Sequence, residues 1–273
     1  MRTLIRFGAL TCAAVLGACG GDATSTSIDQ QIPSLASDLA LVAANGTAED
    51  VGIMLEPVSF TAMPFFATAS FDGPVLSLAG NFRPANCPFD ATSGRLVCPT
   101  ITHYGITINR SYAFWDASNA VQQAYDTITT AKGNVQTSIV GTRTGDEWSA
   151  TVDRGKDLTA TGLAGAETQR TWNGTGHDKV NRSRVTEAGE TRTYDIDCSV
   201  TVSDVVVPVP PAFPLSGSIT RTCTITIVGG PRDGTTIQRT VVVTFNGNST
   251  ATLTIGDKTF TVDLTTGRRF QRP

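Results

Sequence analysis

The stretch TTIQRTVVVTFNGNSTATLTIGDKTFTVDL, residues 235–264, decides the fold class of this chain. Between Thr235 and Phe245 mostly apolar side chains alternate with threonine or glutamine, which is the two-residue period of a β-strand with one buried face. Asn246-Gly247-Asn248 and Gly256-Asp257 then mark two tight turns, each followed by a further alternating segment. Three consecutive strands joined by tight turns predict an antiparallel meander.

The same alternation recurs through most of the chain upstream of this stretch. Abundant threonine suits the exposed faces of such strands, because its β-branch packs while its hydroxyl stays in water. We expect one antiparallel sheet of roughly ten or more strands, which accumulated twist would curl into an open or closed barrel. A two-sheet β-sandwich is the alternative. The further predicted segments are residues 106–126 as a hairpin, 147–152, 167–175, 180–186, 190–202 and 217–228.

A short helical segment is predicted before the strands. Apolar residues at Ile32, Leu35, Leu39 and Val42 recur at intervals of three and four, and Asn45-Gly46 is expected to end the helix. A second short helical turn is expected over residues 47–54.

The N-terminus has the layout of a secretory signal peptide. Arg2 and Arg6 supply positive charge, and residues 7–18, FGALTCAAVLGA, carry none. This apolar run is shorter than the roughly 20 residues that a membrane-spanning helix needs. We therefore expect it to be removed on export.

Leu16-Gly17-Ala18-Cys19 resembles the lipobox of bacterial lipoproteins. The resemblance implies cleavage before Cys19, a diacylglycerol on its thiol and a fatty acyl chain such as palmitate on its amine, which together anchor a protein to the membrane. In such lipoproteins an aspartate directly after the cysteine favours retention in the inner membrane. Here that position is Gly20, so the resemblance implies the outer membrane. The alternative is an ordinary secretory signal with Cys19 unmodified.

The predicted organisation follows from these segments. Small polar residues after Cys19 are typical of a flexible tether. We expect a signal peptide at residues 1–18, a lipidated tether at 19–28, a short helical segment at 29–57 and an antiparallel β domain at 58–273.

Charge and cysteine content narrow the class of protein. Removal of the signal leaves 19 basic against 24 acidic residues, a net charge near −5, with no basic block to bind nucleic acid. Four cysteines remain besides Cys12 and Cys19, and an exported protein meets an oxidising compartment. Turn residues between Cys87 and Cys98 predict a disulfide across a hairpin. Cys198 and Cys223 lie symmetrically about a proline-rich stretch, which predicts a second disulfide between them. A metal site is the alternative, but these spacings do not match one.

No motif for nucleophilic catalysis is present, and we expect neither an enzyme nor a cofactor or metal centre. His177 is expected in a solvated turn, within Gly174-Thr175-Gly176-His177-Asp178, and His103 has no identifiable partner. Asp195 and Asp197 alternate with apolar residues and are expected on a solvated face opposite the second disulfide.

One pattern predicts a binding surface. By strand parity, six arginines share the more apolar face with a tryptophan and a tyrosine. Unpaired charges are costly in a dry core, so such a face suggests a concave site where guanidinium groups meet an anionic headgroup or carboxylate. Alternatively, the arginine heads reach water at a sheet rim or pair with Glu190 and Asp178. The predicted ligand-binding residues are Arg170, Trp172, Arg182, Arg184, Arg192, Tyr194, Arg221 and Arg239.

Together these features predict a membrane-anchored lipoprotein of the cell envelope, on the periplasmic or surface-facing side of the outer membrane. We expect a non-enzymatic domain that binds an amphipathic or anionic small molecule. The alternative is a structural or surface interaction module that meets another envelope protein.

Overall fold

The structure is a computed structural model. It describes residues 33–55, 65–69, 76–80, 87–126, 128–145, 148–165, 167–185, 189, 191–209, 212–229, 232–265 and 269–271. The predicted signal peptide, lipobox, tether and Glu190 lie outside the described residues. Residues 36–273 form one compact unit, to which all described elements belong except the first three residues of the helix.

One helix and sixteen strands make up the described elements. They are α1 (Pro33–Leu55), β1 (Phe65–Ala69), β2 (Leu76–Gly80), β3 (Phe89–Asp90), β4 (Arg95–Val97), β5 (Ile101–His103), β6 (Ile106–Asp116), β7 (Val121–Gln122), β8 (Thr130–Thr144), β9 (Trp148–Thr161), β10 (Gln169–Val185), β11 (Thr191–Pro208), β12 (Ser216–Val228), β13 (Thr236–Thr244), β14 (Thr250–Ile255), β15 (Lys258–Asp263) and β16 (Arg269–Gln271).

The predicted antiparallel meander is confirmed. Strands β1 and β2 pair only with each other among the described strands, and the other fourteen form one sheet in the order β16-β15-β14-β13-β12-β11-β10-β9-β8-β6-β4-β3. Strands β5 and β7 also pair with β6. Because β3 and β16 lie at opposite ends of this order, the sheet is open.

Strand β10 differs from the prediction. Residues 167–175 and 180–186 were predicted as separate strands, but Gln169–Val185 forms one strand of 17 residues, so His177 lies in a strand and the predicted turn is wrong. Gly176 explains the difference, because a Cβ atom there would overlap the backbone oxygen of Gly155 and lie 2.7 Å from Cδ of Lys156, both on the neighbouring strand. This glycine makes room for the neighbouring backbone and for a lysine side chain.

Helix α1 also differs from the prediction. It continues through Asn45-Gly46 as one helix of 23 residues, so the predicted end there is wrong. A Cβ atom on Gly46 would lie 3.0 Å from Nη2 of Arg221 and 3.2 Å from Oδ2 of Asp178, which shows that this glycine allows close contact with the sheet. Among the described residues, no helix is long and apolar enough to cross a membrane.

The long strands bury one face, here called the inner face, and expose the other, the outer face. In β11, for example, every second residue from Tyr194 to Val202 is buried while its neighbours are exposed. Helix α1 is buried nearly all round, including its polar residues Asn45, Glu49 and Asp50. A helix without a solvated side belongs to the core, so the inner face and α1 together form the interior.

Both predicted disulfides are confirmed. The bond Cys198–Cys223 joins directly paired positions of β11 and β12, with 4.0 Å between the Cα atoms, on the inner face. The bond Cys87–Cys98 closes the hairpin of β3 and β4, with 4.1 Å between the Cα atoms.

Candidate functional site

The predicted arginine face is the inner face of the sheet, and the structure divides it into three sectors. Arg170 and Trp172 lie near one end of β10, Asp178 lies at its middle, and Arg182 lies near the other end beside Tyr194 of β11. Twelve residues of strand separate Arg170 from Arg182, a distance of about 40 Å in extended chain. The predicted site residues therefore do not form one cavity wall.

The central sector is a buried ionic cluster of six charged side chains, none more than 4% exposed. Three are carboxylates and three are cations, so the formal charges cancel. Two of the carboxylates come from the helix and the rest of the cluster from the sheet. The members are Glu49 and Asp50 of α1, Arg154 and Lys156 of β9, Asp178 of β10 and Arg221 of β12.

Arg221 makes the most contacts in the ionic cluster. Its Nε donates to Oδ2 of Asp178 at 2.9 Å, its Nη1 donates to Oγ1 of Thr47 at 3.0 Å, and its Nη2 donates to the carboxylate of Asp50. Lys156 Nζ joins the same two carboxylates, at 2.7 Å from Oδ1 of Asp178 and 3.3 Å from Oδ1 of Asp50. The guanidinium and the ammonium thus bridge helix to sheet.

The remaining pair of the ionic cluster joins Nη1 of Arg154 to Oε2 of Glu49 at 2.8 Å. Burial raises the pKa of Glu49, and the nearby guanidinium of Arg154 lowers it only in part. Burial also raises the pKa of Asp178, but Lys156 and Arg221 outweigh it and hold that pKa well below its usual range. Asp178 is therefore an anion at neutral pH, at the centre of the cluster.

These contacts define what the central sector does. Each of its three cations already meets a carboxylate within hydrogen-bond distance, and two of the carboxylates belong to α1. The arrangement matches the alternative interpretation in which arginines of this face pair with Asp178. The ionic cluster anchors the helix in the sheet.

The second of the three sectors of the inner face, here called the aromatic sector, surrounds Arg170 and Trp172. Tyr112 and Phe114 are stacked with ring centroids 6.4 Å apart, and the ring of Tyr125 lies 5.6 Å from that of Phe114. Trp172 is fully buried and is paired across the sheet with Ala160 of β9 and Val205 of β11. This sector therefore has a broad apolar wall.

Arg170 is the charge in the aromatic sector. It is 6% exposed, and burial lowers its pKa, which the nearby Tyr125 raises in part. Its Nε and Nη1 atoms, and Nε1 of Trp172, have no hydrogen-bond partner among the described residues. Buried N–H groups normally have a partner, so these donors mark a place where an acceptor fits.

The third sector holds Arg182 and Tyr194, which are paired across β10 and β11 and are both buried. The hydroxyl of Tyr194 has no partner among the described residues. Arg192 is exposed, and Arg239 is half-buried on β13, where Nη1 donates to the carbonyl of Gln238 at 2.8 Å. The side chain of Arg184 lies outside the described residues.

The other candidate residues lie on exposed strands or turns. His177 lies 3.3 Å from Oδ1 of Asp153, and the ring of His103 packs on Tyr104. Asp195 and Asp197 are exposed on the face opposite the disulfide, as predicted. Within the described ranges, no group of three or more His, Cys, Asp or Glu side chains could hold a metal ion.

The sequence prediction missed the carboxylates of α1. Glu49 and Asp50 are adjacent acids in a segment otherwise rich in small and apolar residues, directly after Ala48. That composition, with no polar face, is the signal that could have identified a buried helix.

The chain matches no protein-family model, no curated protein and no solved structure.

Proposed function

We propose that the protein is a membrane-anchored, non-enzymatic binding protein of the bacterial cell envelope that binds an anionic amphipathic molecule in the aromatic sector. The observation that carries this proposal is the pair Arg170 and Trp172, with three buried nitrogen atoms that lack a partner among the described residues. The resemblance of Leu16 to Cys19 to a lipobox supports an exported, lipid-anchored protein, and the two disulfides support an oxidising compartment.

The chemistry of the aromatic sector favours an anionic headgroup. A guanidinium presents planar donors that match a carboxylate or a phosphate, and charge-assisted hydrogen bonds of this kind are among the stronger ones. A buried, unpaired guanidinium is costly, so a ligand that pairs with Arg170 relieves that cost. This contact would thus give the site its preference for an anionic headgroup.

The surroundings favour an apolar tail on the same ligand. Trp172, Leu158, Val205 and Val207 are each fully buried on the inner face near Arg170. Because these side chains have no exposed surface in the structure, a hydrocarbon chain would have to enter among them, and its burial there would contribute about 0.8 kcal/mol per CH₂ group. A headgroup at Arg170 and a chain along these side chains define an amphipathic ligand.

The test compares two ligands that differ only in the headgroup. Laurate and dodecanol are titrated into the mature protein without its lipid, and binding is followed by calorimetry. We expect laurate to bind more tightly, and Arg170→Gln to weaken laurate binding by about tenfold to a hundredfold, because a hydrogen-bonded charge contributes roughly 1.5–3 kcal/mol. Dodecanol binding should change little.

The matched control is Arg239→Gln, which removes a half-buried arginine from a different strand. It should leave laurate binding unchanged. Equal affinity for laurate and dodecanol, or equal effects of the two substitutions, would contradict the proposal. Urea unfolding of Arg170→Gln and Arg239→Gln, followed by circular dichroism, separates a loss of binding from a loss of stability.

A second candidate function, a protein-interaction module, is favoured by the turn between β5 and β6. Tyr104 at this turn is 66% exposed and has a φ of 46°, a conformation that costs free energy in a residue other than glycine. Site-specific crosslinking from the neighbouring exposed residue Thr102, with Tyr104 left in place, tests the idea. A discrete crosslinked envelope protein that disappears with Tyr104→Ser would favour the module over the ligand binder.

A further inference from the structure

The outer face carries a polar groove that the inner-face site does not use. It has a volume of about 890 Å³ and lies between the β3–β4 hairpin and strands β6, β8, β9 and β10. The hairpin is held in place by the Cys87–Cys98 disulfide and by pairing of β4 with β6. Side chains that line the groove include Arg95, Asn109, Gln136, Ser138, Asp157 and His177.

A connected row of hydrogen bonds joins four side chains of the groove lining through a fifth, the buried Asn134. Arg95 donates from Nε to Oγ of Ser111 at 2.8 Å and from Nη2 to Oδ1 of Asn134 at 2.7 Å. Asn134 Nδ2 donates to Oδ1 of Asp157 at 2.5 Å, and Gln136 Nε2 donates to Oδ2 of the same carboxylate at 2.9 Å. Five side chains from four strands are therefore held in fixed positions.

The composition of the groove restricts what it can bind. Guanidinium, amide, hydroxyl and carboxylate groups alternate across it, and the charges of Arg95 and Asp157 offset each other. The lining holds the carboxylates of Asp90 and Asp157 and the cations Arg95, Arg110 and Lys156, but the ammonium of Lys156 is already bound to Asp178 in the ionic cluster. Val97 and Cys98 are the apolar side chains of this lining, so an apolar chain would find few apolar partners there. A neutral molecule dense in groups that both donate and accept hydrogen bonds suits this surface.

We propose that this groove binds a neutral oligosaccharide chain. Each sugar hydroxyl is both donor and acceptor, and neighbouring hydroxyls can bond the two oxygens of a carboxylate or the two polar atoms of an amide at once. Gln136 and Asp157 present such planar groups side by side on the exposed outer face. The hairpin wall and the strands beneath it leave the groove open along its length for a chain.

The test uses the full lipidated protein in micelles of a zwitterionic detergent without a sugar headgroup. The probe is an array of immobilised neutral oligosaccharides, hexamers of N-acetylglucosamine, glucose and mannose, with sulfated hexamers as comparators. We expect at least one neutral hexamer to be retained in preference to its sulfated form. Gln136→Ala and Asp157→Asn should each weaken retention by about three- to thirtyfold, as expected for one lost hydrogen-bonding group.

The matched control is Gln238→Ala, an exposed glutamine on the outer face of β13, which should leave retention unchanged. Ser138→Phe tests the same groove by steric block and should abolish retention while circular dichroism stays native. Retention of no neutral hexamer, retention only of sulfated hexamers, or equal effects of Gln136→Ala and Gln238→Ala would overturn the proposal. Arg170→Gln should not alter retention, which separates this site from the inner face.

Discussion

Replacing Arg221 by methionine should strongly destabilise the protein, because this residue joins helix to sheet. The substitution keeps an unbranched apolar side chain in place of the arginine stem but removes bonds to Thr47, Asp50 and Asp178. Only Lys156 then remains in contact with both carboxylates. The ionic cluster changes from neutral to a net charge of −1 in a fully buried place.

The magnitude follows from the loss of one partner in a buried ion network. Breaking such a network by removing one charge costs about 3–5 kcal/mol, because a buried carboxylate is left uncompensated. The Coulomb attraction between unit charges about 4 Å apart, at an effective dielectric constant of about 20, is about 4 kcal/mol. We therefore expect Arg221→Met to lower the free energy of unfolding by about 3–5 kcal/mol.

Urea unfolding followed by circular dichroism measures this change. Adding Asp50→Asn removes the excess charge, and we expect a coupling energy of about 1–3 kcal/mol between the two substitutions. Arg239→Met, the control, should cost under about 1 kcal/mol. If Arg221→Met cost no more than Arg239→Met, the ionic cluster would not be what holds α1 in the sheet.

Three further predictions concern the same interior. Gly46→Ala would stabilise an ordinary helix by about 1 kcal/mol, but here it should destabilise the protein, since the new Cβ meets Arg221; a higher melting temperature would refute this. The pKa of Asp178 is depressed on folding, so its stabilising contribution is present above about pH 4 and is lost as the pH falls below that. In Asp178→Asn the free energy of unfolding should therefore fall less steeply between about pH 4 and lower pH than in the wild type. An unchanged slope would contradict this role of Asp178. Removing the Cys198–Cys223 disulfide, which closes a separation of 25 residues, should cost about 3.5 kcal/mol in urea unfolding, and a loss under about 1 kcal/mol would be inconsistent with its burial.

Strand alternation predicts most of the sheet, because a face that is buried requires apolar residues at every second position. The C-terminal segment from residue 235 onward follows directly from this pattern, whereas both disulfides follow from the turn and proline residues between the paired cysteines. The prediction fails at Gly46 and Gly176, where glycine was taken as a terminator. Gly46 instead leaves room for Arg221, and Gly176 leaves room for the backbone of Gly155 and the side chain of Lys156. Contacts with another element of the fold leave no local signal in the sequence.

The candidate site is predicted only in part, because parity assigns residues to a face but not to positions along it. Arg170, Arg182 and Arg221 do share the inner face, as predicted. The partners of Arg221 could not be predicted, since Asp50 is more than 170 residues distant in sequence. Only the packing of α1 against the sheet distinguishes the paired Arg221 from Arg170.

The most direct test of a ligand site at Arg170 is mass spectrometry of the amphiphiles that remain bound to the full-length protein when it is purified from its native membrane. The wild-type protein should retain an anionic amphiphile in near-stoichiometric amount. Arg170→Gln should lose it, and Arg239→Gln should retain it. An empty wild-type protein, or equal retention by Arg170→Gln, would contradict the proposed function.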